Sequence, residues 1–120
     1  MTRILVVEDD RVHRKIIREI LAPHGYDVME AADGIEAIHM QRDHGFDLIL
    51  TDVVMPGMEG IETVRELTRL YPDLRIIAIS AYKEGYLAAA EKLGAMATIE
   101  KPFDPHALAA CVESCLRRGH

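Results

Sequence analysis

Short apolar runs alternate along the chain with segments whose apolar residues recur at helical spacing. Five of the runs are short enough, and apolar enough, to be buried strands. The predicted strands cover residues 4–7, 26–31, 48–51, 74–79 and 96–99. The remaining segments predict helices at about 11–22, 34–45, 59–70, 86–93 and 105–116. Asp10, Asp33 and Asp104 stand at the expected N-cap positions of three of these helices.

This strict alternation of strands and helices indicates an α/β fold. Near-continuous apolar strands are typical of a parallel sheet that is covered on both faces. A doubly wound sheet with helices on both faces satisfies the pattern, whereas a closed eight-stranded barrel needs about twice this length. Ligands of such open sheets bind beyond the carboxyl ends of the strands. The residues just after each apolar run are therefore the first candidates for function.

Composition and charge narrow the class of protein. The 120 residues suffice for one domain, which we expect to span 1–120, and a hydrophobic fraction of 49% excludes wholesale disorder. A net charge of −6 argues against direct nucleic-acid binding. The 2 cysteines are too few for a secreted disulfide scaffold, and no apolar run reaches membrane-spanning length. We therefore expect a cytoplasmic protein with no membrane contact.

Acid, hydroxyl and ammonium groups follow four of the five predicted strands. Glu8 and Asp9 come after the first strand, Asp52 after the third, Ser80 after the fourth and Lys101 after the fifth. Because the carboxyl ends of parallel strands meet at one edge of the sheet, we expect these side chains to converge. Several carboxylates held together need a cation, and Mg²⁺ prefers such oxygen ligands.

The same group of residues fits phosphoryl transfer onto Asp52. A carboxylate beside Mg²⁺ can act as a nucleophile toward phosphorus. Lys101 would place positive charge on the transferred phosphoryl group, and the Ser80 hydroxyl would donate to one of its oxygens. Each residue taken alone is more often a helix cap, a turn residue or a solvated charge. Residues of these types at four strand ends on one sheet edge favour the functional interpretation.

At this point the motifs resemble those of bacterial two-component response-regulator receiver domains, including the single-domain chemotaxis regulator. The matching stretches are Ile4-Leu5-Val6-Val7-Glu8-Asp9, Asp52-Val53-Val54-Met55-Pro56-Gly57-Met58-Glu59-Gly60, Ser80-Ala81 and Lys101-Pro102-Phe103. The resemblance spans essentially the whole chain. It implies a flavodoxin-like (βα)5 fold, with a five-stranded parallel sheet in the order 2-1-3-4-5, an order that the receiver family itself exemplifies.

The resemblance also implies a ligand set and a role for each site residue. Mg²⁺, for which Mn²⁺ can substitute, would be held by Asp9 directly, by Glu8 through water, by Asp52 and by the backbone carbonyl of Val54. Asp52 would be the phosphoacceptor. Ser80 would move to bind the phosphoryl group, and Lys101 would pair with it. The Lys101–Pro102 peptide bond is expected to be cis.

The implied partners are those of a signalling switch. A phosphohistidine on a sensor histidine kinase or a histidine phosphotransfer protein would be the donor. The phosphorylated chain would then change its output surface and control a downstream partner, which the sequence does not name. Since the chain would catalyse only its own phosphorylation and dephosphorylation, we expect a switch and not a metabolic enzyme. We expect it to be a monomer or a weak dimer.

The chain departs from the family in the last strand. The family often has Tyr or Phe three residues before the conserved lysine, where this chain has Thr98. An aromatic rotamer switch is impossible there, so a signal through this strand must use smaller packing changes. Tyr82, two residues after Ser80, is a candidate substitute at the rim of the site. An ordinary half-exposed loop tyrosine is the alternative interpretation.

Three other classes of protein share part of this pattern. A haloacid-dehalogenase-type phosphohydrolase needs a general acid two residues after its nucleophile, and Val54 stands there. A flavodoxin-like FMN carrier needs a loop of phosphate-binding donors after the first strand, where this chain has three acids. A degenerate receiver that serves as a phosphorylation-independent docking or dimerisation module stays open.

The residues at the rim predict a slow loss of the phosphoryl group. Hydrolysis needs a water in line with the acyl phosphate bond. Val54 and Tyr82 flank that approach, and neither carries a carboxylate or amide that could orient the water. A Val54→Asn, Tyr82→Glu double variant should therefore lose the phosphoryl group faster, as followed by intact mass over time. An unchanged lifetime would contradict this account.

Overall fold

Five parallel strands form one sheet in the computed structural model, which describes residues 1–53, 60–81 and 86–118. Their order across the sheet is β2-β1-β3-β4-β5, which confirms the expected flavodoxin-like topology. The strands are β1 (Arg3–Val7), β2 (Asp27–Ala31), β3 (Leu48–Asp52), β4 (Arg75–Ser80) and β5 (Ala97–Glu100). Each end lies within about one residue of its predicted position, the usual uncertainty of such boundaries.

Helices connect the strands, as the apolar periodicity predicts. They are α1 (Arg11–Leu21), α2 (Gly34–His44), α3 (Gly60–Leu70), α4 (Tyr86–Lys92) and α5 (Pro105–Arg117), with a short 3-10 helix at Ala22–His24. Asp10, Asp33 and Asp104 cap α1, α2 and α5 by accepting backbone N–H groups, as predicted. The 3-10 helix continues the first helical segment to His24, two residues beyond its predicted end at residue 22. Gly25, at a φ of 85°, makes the left-handed turn that follows.

Alternate residues of the strands face two separate cores. In β1, Leu5 and Val7 contribute to one core, and Ile4 and Val6 contribute to the other. Residues of α2, α3 and α4 pack in the first core, and residues of α1 and α5 pack in the second. All residues of the central strand β3 are buried. This double covering explains why the strands are apolar on both faces.

Helix α1 buries less of its apolar surface than the sequence pattern suggests. Ile17 and Leu21 are buried, but Val12 is 64% exposed and Ile16 is 43% exposed. Val12 lies in the first turn of α1 and Ile16 at its middle, and α1 begins directly after the acidic residues 8–10. Apolar surface is therefore available to another molecule near the carboxyl edge of the sheet.

A glycine at the start of α3 allows this helix to approach the end of β3. A Cβ atom on Gly60 would lie 2.2 Å from the Asp52 carbonyl oxygen and 2.2 Å from Val53 Cα. Gly60→Ala should therefore push α3 away from β3 and lower the free energy of unfolding by about 3 kcal/mol or more, measured by urea unfolding.

The control for this substitution is Gly25→Ala. A Cβ atom there meets nothing within 4 Å, and only the positive φ of 85° opposes the change. That backbone conformation should cost about 1–2 kcal/mol. Equal losses in the two variants would mean that α3 yields at little cost, which would contradict a tight approach at Gly60.

Candidate functional site

Three charged side chains from distant parts of the chain meet at the carboxyl edge of the sheet. Glu8 follows β1 and is 2% exposed, and Asp52 ends β3 and is 6% exposed. Lys101 follows β5, and its Nζ donates to Glu8 Oε2 at 2.7 Å and to Asp52 Oδ2 at 2.6 Å. The structure thus brings together one ammonium and two nearly buried carboxylates that the sequence analysis proposed as neighbours.

The other predicted site residues differ in how deeply they are buried. Ser80 ends β4, is fully buried, and its carbonyl accepts a hydrogen bond from the Lys101 backbone N–H at 2.8 Å. Asp9 is exposed, one residue beyond Glu8. Thr98 is half-buried in β5, opposite Ala78 of β4. The expected cis peptide bond between Lys101 and Pro102 is present.

Two of the predicted positions fall outside the part of the chain that the structure describes. They are Val54, whose backbone carbonyl was expected to bind the metal, and Tyr82, the candidate substitute for an aromatic switch. Both assignments therefore stay predictions.

Burial governs the electrostatics of this cluster. It raises the pKa of Glu8 from 4.5 to about 7, and the neighbouring Asp52 adds to the rise while Lys101 opposes it. Burial alone would lower the pKa of Lys101, but its hydrogen bonds to Asp52 and Glu8 raise it above the ordinary value of 10.5. The lysine therefore stays charged, and one positive charge faces two carboxyl groups.

The donor chemistry of the cluster fits a hard divalent cation. Carboxylate oxygens are the ligands that Mg²⁺ takes, and Glu8 and Asp52 present such oxygens on either side of Lys101. Lys101 bridges Glu8 and Asp52, while Asp9 lies exposed beside them. Within residues 1–53, 60–81 and 86–118, no three acidic, histidine or cysteine side chains are gathered as a metal site. The predicted set of Glu8, Asp9 and Asp52 is thus assembled only in part.

The structure adds a residue that the sequence analysis did not single out. Arg14 of α1 donates from NH1 to the Glu8 carbonyl oxygen at 2.9 Å and from Nε to Glu30 Oε1 at 2.9 Å. Arg18, one helical turn further on, donates to Glu30 Oε2 at 2.8 Å. The i, i+4 spacing of the two arginines was the available signal, because it places both on one face of the helix. Their partner on β2 was not evident from that spacing.

A cavity of about 400 Å³ opens beside the charged cluster. Its lining is mostly apolar apart from one histidine and the lysine of the cluster. The lining residues are His13, Ile16, Ala81, Lys101, Pro102 and Phe103. Part of the exposed apolar surface of α1 therefore adjoins Lys101.

Comparison with known proteins identifies the family. The chain belongs to the response regulator receiver domain family, whose family model matches residues 4–113. Response regulators are the receiving components of two-component phosphorelay systems, so two-component signalling is the process in which this chain takes part. Members of the family generally use Mg²⁺ and accept phosphoryl groups from histidine kinases or phosphotransfer proteins.

Individual relatives agree with this membership. The transcriptional regulatory protein ZraR of Escherichia coli is 38% identical over 98% of this chain, and the chain spans 27% of the length of ZraR. The sporulation initiation phosphotransferase F of Bacillus subtilis is 33% identical over 85% of this chain and 83% of its own. The crystal structure of a CheY-like receiver domain protein from Methanospirillum hungatei superposes with a TM-score of 0.92, at 31% identity, over 97% of this chain and 94% of its own.

One further property concerns the length and apolar character of the helices. Nowhere in the described ranges does a helix have both the length and the apolar character that crossing a bilayer requires.

The raised pKa of Glu8 predicts how stability depends on pH without metal. The folded state holds a proton on Glu8 up to about pH 7, whereas the unfolded chain loses it near 4.5. The free energy of unfolding should therefore fall as pH rises through that window and change little above it. Urea unfolding with a chelator present, followed by far-UV circular dichroism, measures this fall.

Glu8→Gln is the matched variant, because it keeps the shape of the side chain and removes the titration. The difference in unfolding free energy between wild type and variant isolates Glu8 from the histidines, which titrate in the same range. A difference that does not change across the window would contradict a raised pKa for Glu8.

Proposed function

We propose that this chain is a phosphorylation-dependent switch in which Asp52 accepts a phosphoryl group in a Mg²⁺-dependent reaction. The observation that carries the proposal is the 2.6 Å contact between Asp52 Oδ2 and Lys101 Nζ at the carboxyl edge of the sheet. Asp52 is 6% exposed, so only a small part of it is open to a donor. Membership of the receiver family supports this role.

The transfer would use Lys101, which already contacts the acceptor, and Ser80, which would move toward the phosphoryl group. An Asp52 carboxylate oxygen bonds to phosphorus while the bond between phosphorus and the donor nitrogen breaks, and the imidazole keeps the electron pair. The Lys101 ammonium pairs with a phosphoryl oxygen, and the Ser80 hydroxyl donates to another. Bound Mg²⁺ would place positive charge beside the phosphoryl oxygens and stabilise their negative charge. Asp9, Asp52, the Val54 carbonyl and, through water, Glu8 would hold that ion, and Mn²⁺ would serve in its place.

The donor in this proposal is a phosphohistidine on a sensor histidine kinase or a histidine phosphotransfer protein. A protein donor needs surface to dock against as well as access to Asp52. The apolar cavity beside Lys101 and the exposed side chains of Val12 and Ile16 offer such surface. A small phosphodonor would need none of it.

The output of the switch would run through β4 and β5. Ser80 and Glu100 are paired in the register of these strands, and the Lys101 N–H donates to the Ser80 carbonyl oxygen. A shift of Ser80 toward a phosphoryl group would therefore reach β5, where the half-buried Thr98 allows only small changes in packing. The result is a change of surface that controls a partner protein.

The chain would act in the cytoplasm as a monomer or weak dimer, with no direct contact with nucleic acid. Its chemistry would be limited to its own phosphorylation and dephosphorylation, so it is a switch and not a metabolic enzyme.

Phosphorylation by a small donor tests the acceptor directly. Incubation with acetyl phosphate and Mg²⁺ should add one phosphoryl group by intact mass. The addition should be absent without metal and absent in Asp52→Ala, because both the cation and the nucleophile are required.

Two controls separate this proposal from the phosphorylation-independent docking module. A titration with beryllofluoride, which mimics the phosphoryl group, should perturb the wild-type protein and not Asp52→Ala. If neither acetyl phosphate nor beryllofluoride has an effect on the wild type, the switch proposal fails and the docking module replaces it.

A further inference from the structure

We propose that Arg14 is a positioning residue: by holding the carbonyl group of Glu8, it orients Asp9 for binding a divalent cation. The inference rests on the proposed function, since that function assigns Asp9 to Mg²⁺. It adds a residue that touches neither the metal nor the phosphoryl group.

The contacts of Arg14 connect the acidic loop, residues 8–10 between β1 and α1, to the sheet. Its NH1 donates to the Glu8 carbonyl oxygen at 2.9 Å, and its Nε donates to Glu30 Oε1 at 2.9 Å. Its side chain is only 18% exposed. Glu30 lies in β2, opposite Val6 of β1, so the anchor belongs to the hydrogen-bonded sheet itself. A planar guanidinium can make both contacts at fixed angles.

The Glu8 carbonyl belongs to the peptide bond that leads into Asp9. Because a peptide unit is planar, a fixed carbonyl oxygen also fixes the direction in which the chain enters Asp9. The preceding peptide unit, between Val7 and Glu8, is fixed as well, since the Glu8 N–H donates to the Ala31 carbonyl oxygen at 3.1 Å. Arg14 therefore supplies a second restraint on the same residue.

Asp9 depends on this backbone because its side chain has no other restraint in the described ranges. Over residues 1–53, 60–81 and 86–118, the Asp9 carboxylate takes part in no hydrogen bond or ion pair. Its neighbours are held differently: Glu8 bonds to Lys101, and Asp10 caps α1. The position of Asp9 is thus fixed through the peptide units on either side of it: Arg14 holds the Glu8 carbonyl, and the Asp10 N–H donates to Glu8 Oε1 at 3.2 Å.

The charge of Arg14 and its positioning role predict opposite results. A guanidinium near a cation site repels the cation, so removing the charge alone should strengthen metal binding. Loss of the contact with the Glu8 carbonyl should instead let the peptide that leads into Asp9 rotate, which weakens metal binding, because the Asp10 N–H holds only the peptide on the other side of Asp9. The sign of the change therefore distinguishes the two roles.

Three variants separate these effects. Arg14→Gln removes both the charge and the contact, and Arg14→Lys keeps the charge but loses the fork that bridges Glu8 and Glu30. Arg18→Gln is the matched control: it removes an equal charge and one bond to Glu30, and it leaves the Glu8 carbonyl bound to Arg14.

The first measurement is the dissociation constant of Mn²⁺, from the electron paramagnetic resonance signal of the free ion. Both Arg14 variants should bind Mn²⁺ about tenfold more weakly than wild type, the scale on which supporting contacts of metal ligands act. Arg18→Gln should stay within about twofold. Amide hydrogen exchange at Asp9, measured without metal, should rise in the Arg14 variants and not in the control.

The second measurement is the rate of phosphorylation by acetyl phosphate as Mg²⁺ is raised. If Arg14 acts through metal binding, the Arg14 variants should need more Mg²⁺ but approach the wild-type rate at saturation. A rate that stays low at saturating Mg²⁺ would overturn the assignment, because Arg14 would then act on the chemical step. Thermal unfolding checks that each variant is folded. If Arg14→Gln does not fold, Arg14→Lys alone is used for both measurements.

Two other outcomes distinguish failure of this inference from failure of the proposed function. Mn²⁺ affinity that is unchanged or tighter in both Arg14 variants, with a phosphorylated wild type, overturns this inference and leaves the proposed function standing. A wild-type protein that binds no Mn²⁺ and accepts no phosphoryl group overturns both.

Discussion

The arrangement of the site depends on one ammonium group placed between two nearly buried carboxylates. Without Lys101, Glu8 and Asp52 would face each other in surroundings where a second negative charge is costly. Burial already raises the pKa of Glu8 to about 7. Near that pH the two carboxyl groups and the lysine together therefore carry little net charge. A site so near neutrality responds strongly to any added charge, whether a divalent cation or a phosphoryl group. That sensitivity suits a switch better than a rigid structural ion pair.

The parallel sheet is what makes this convergence possible. Lys101 lies 93 residues from Glu8 and 49 residues from Asp52 along the chain. The order β2-β1-β3-β4-β5 places β1 and β3 side by side at the centre, so the residues at their carboxyl ends are neighbours. Lys101 follows the edge strand β5, and its side chain reaches past the end of β4 to contact Asp52 and Glu8. Gly60 also shapes this edge of the sheet, because the absence of a side chain lets α3 begin against the backbone of Asp52.

The loop between β1 and α1 has a support of its own. The guanidinium of Arg14 connects the Glu8 carbonyl to Glu30, and Arg18 holds the second oxygen of Glu30. Burial pushes the pKa of Glu30 upward, yet the hydrogen bonds from Arg18 and Arg14 hold it below its ordinary value. An ionised glutamate on the sheet thus anchors an arginine that reaches the acidic loop. Asp9, which belongs to that loop, remains exposed to solvent.

The sequence by itself determined the elements and the identity of the strand-end residues. Apolar runs and helical spacing are local properties, so the strands, the helices and the caps at Asp10, Asp33 and Asp104 followed from them. The motifs around Glu8, Asp52 and Lys101 likewise indicated the receiver family before any geometry was known. These features need only residues close together in the chain.

Only the tertiary structure decided which side chains meet. It pairs Lys101 with both Glu8 and Asp52, leaves Asp9 outside that pair, and binds Arg14 to a carbonyl oxygen of the acidic loop. It also leaves Val12 and Ile16 exposed, although their spacing matches that of the buried Ile17 and Leu21. The physical reason is that burial and side-chain pairing depend on the neighbours that the strand order supplies. Periodicity along one helix or strand carries no information about those neighbours.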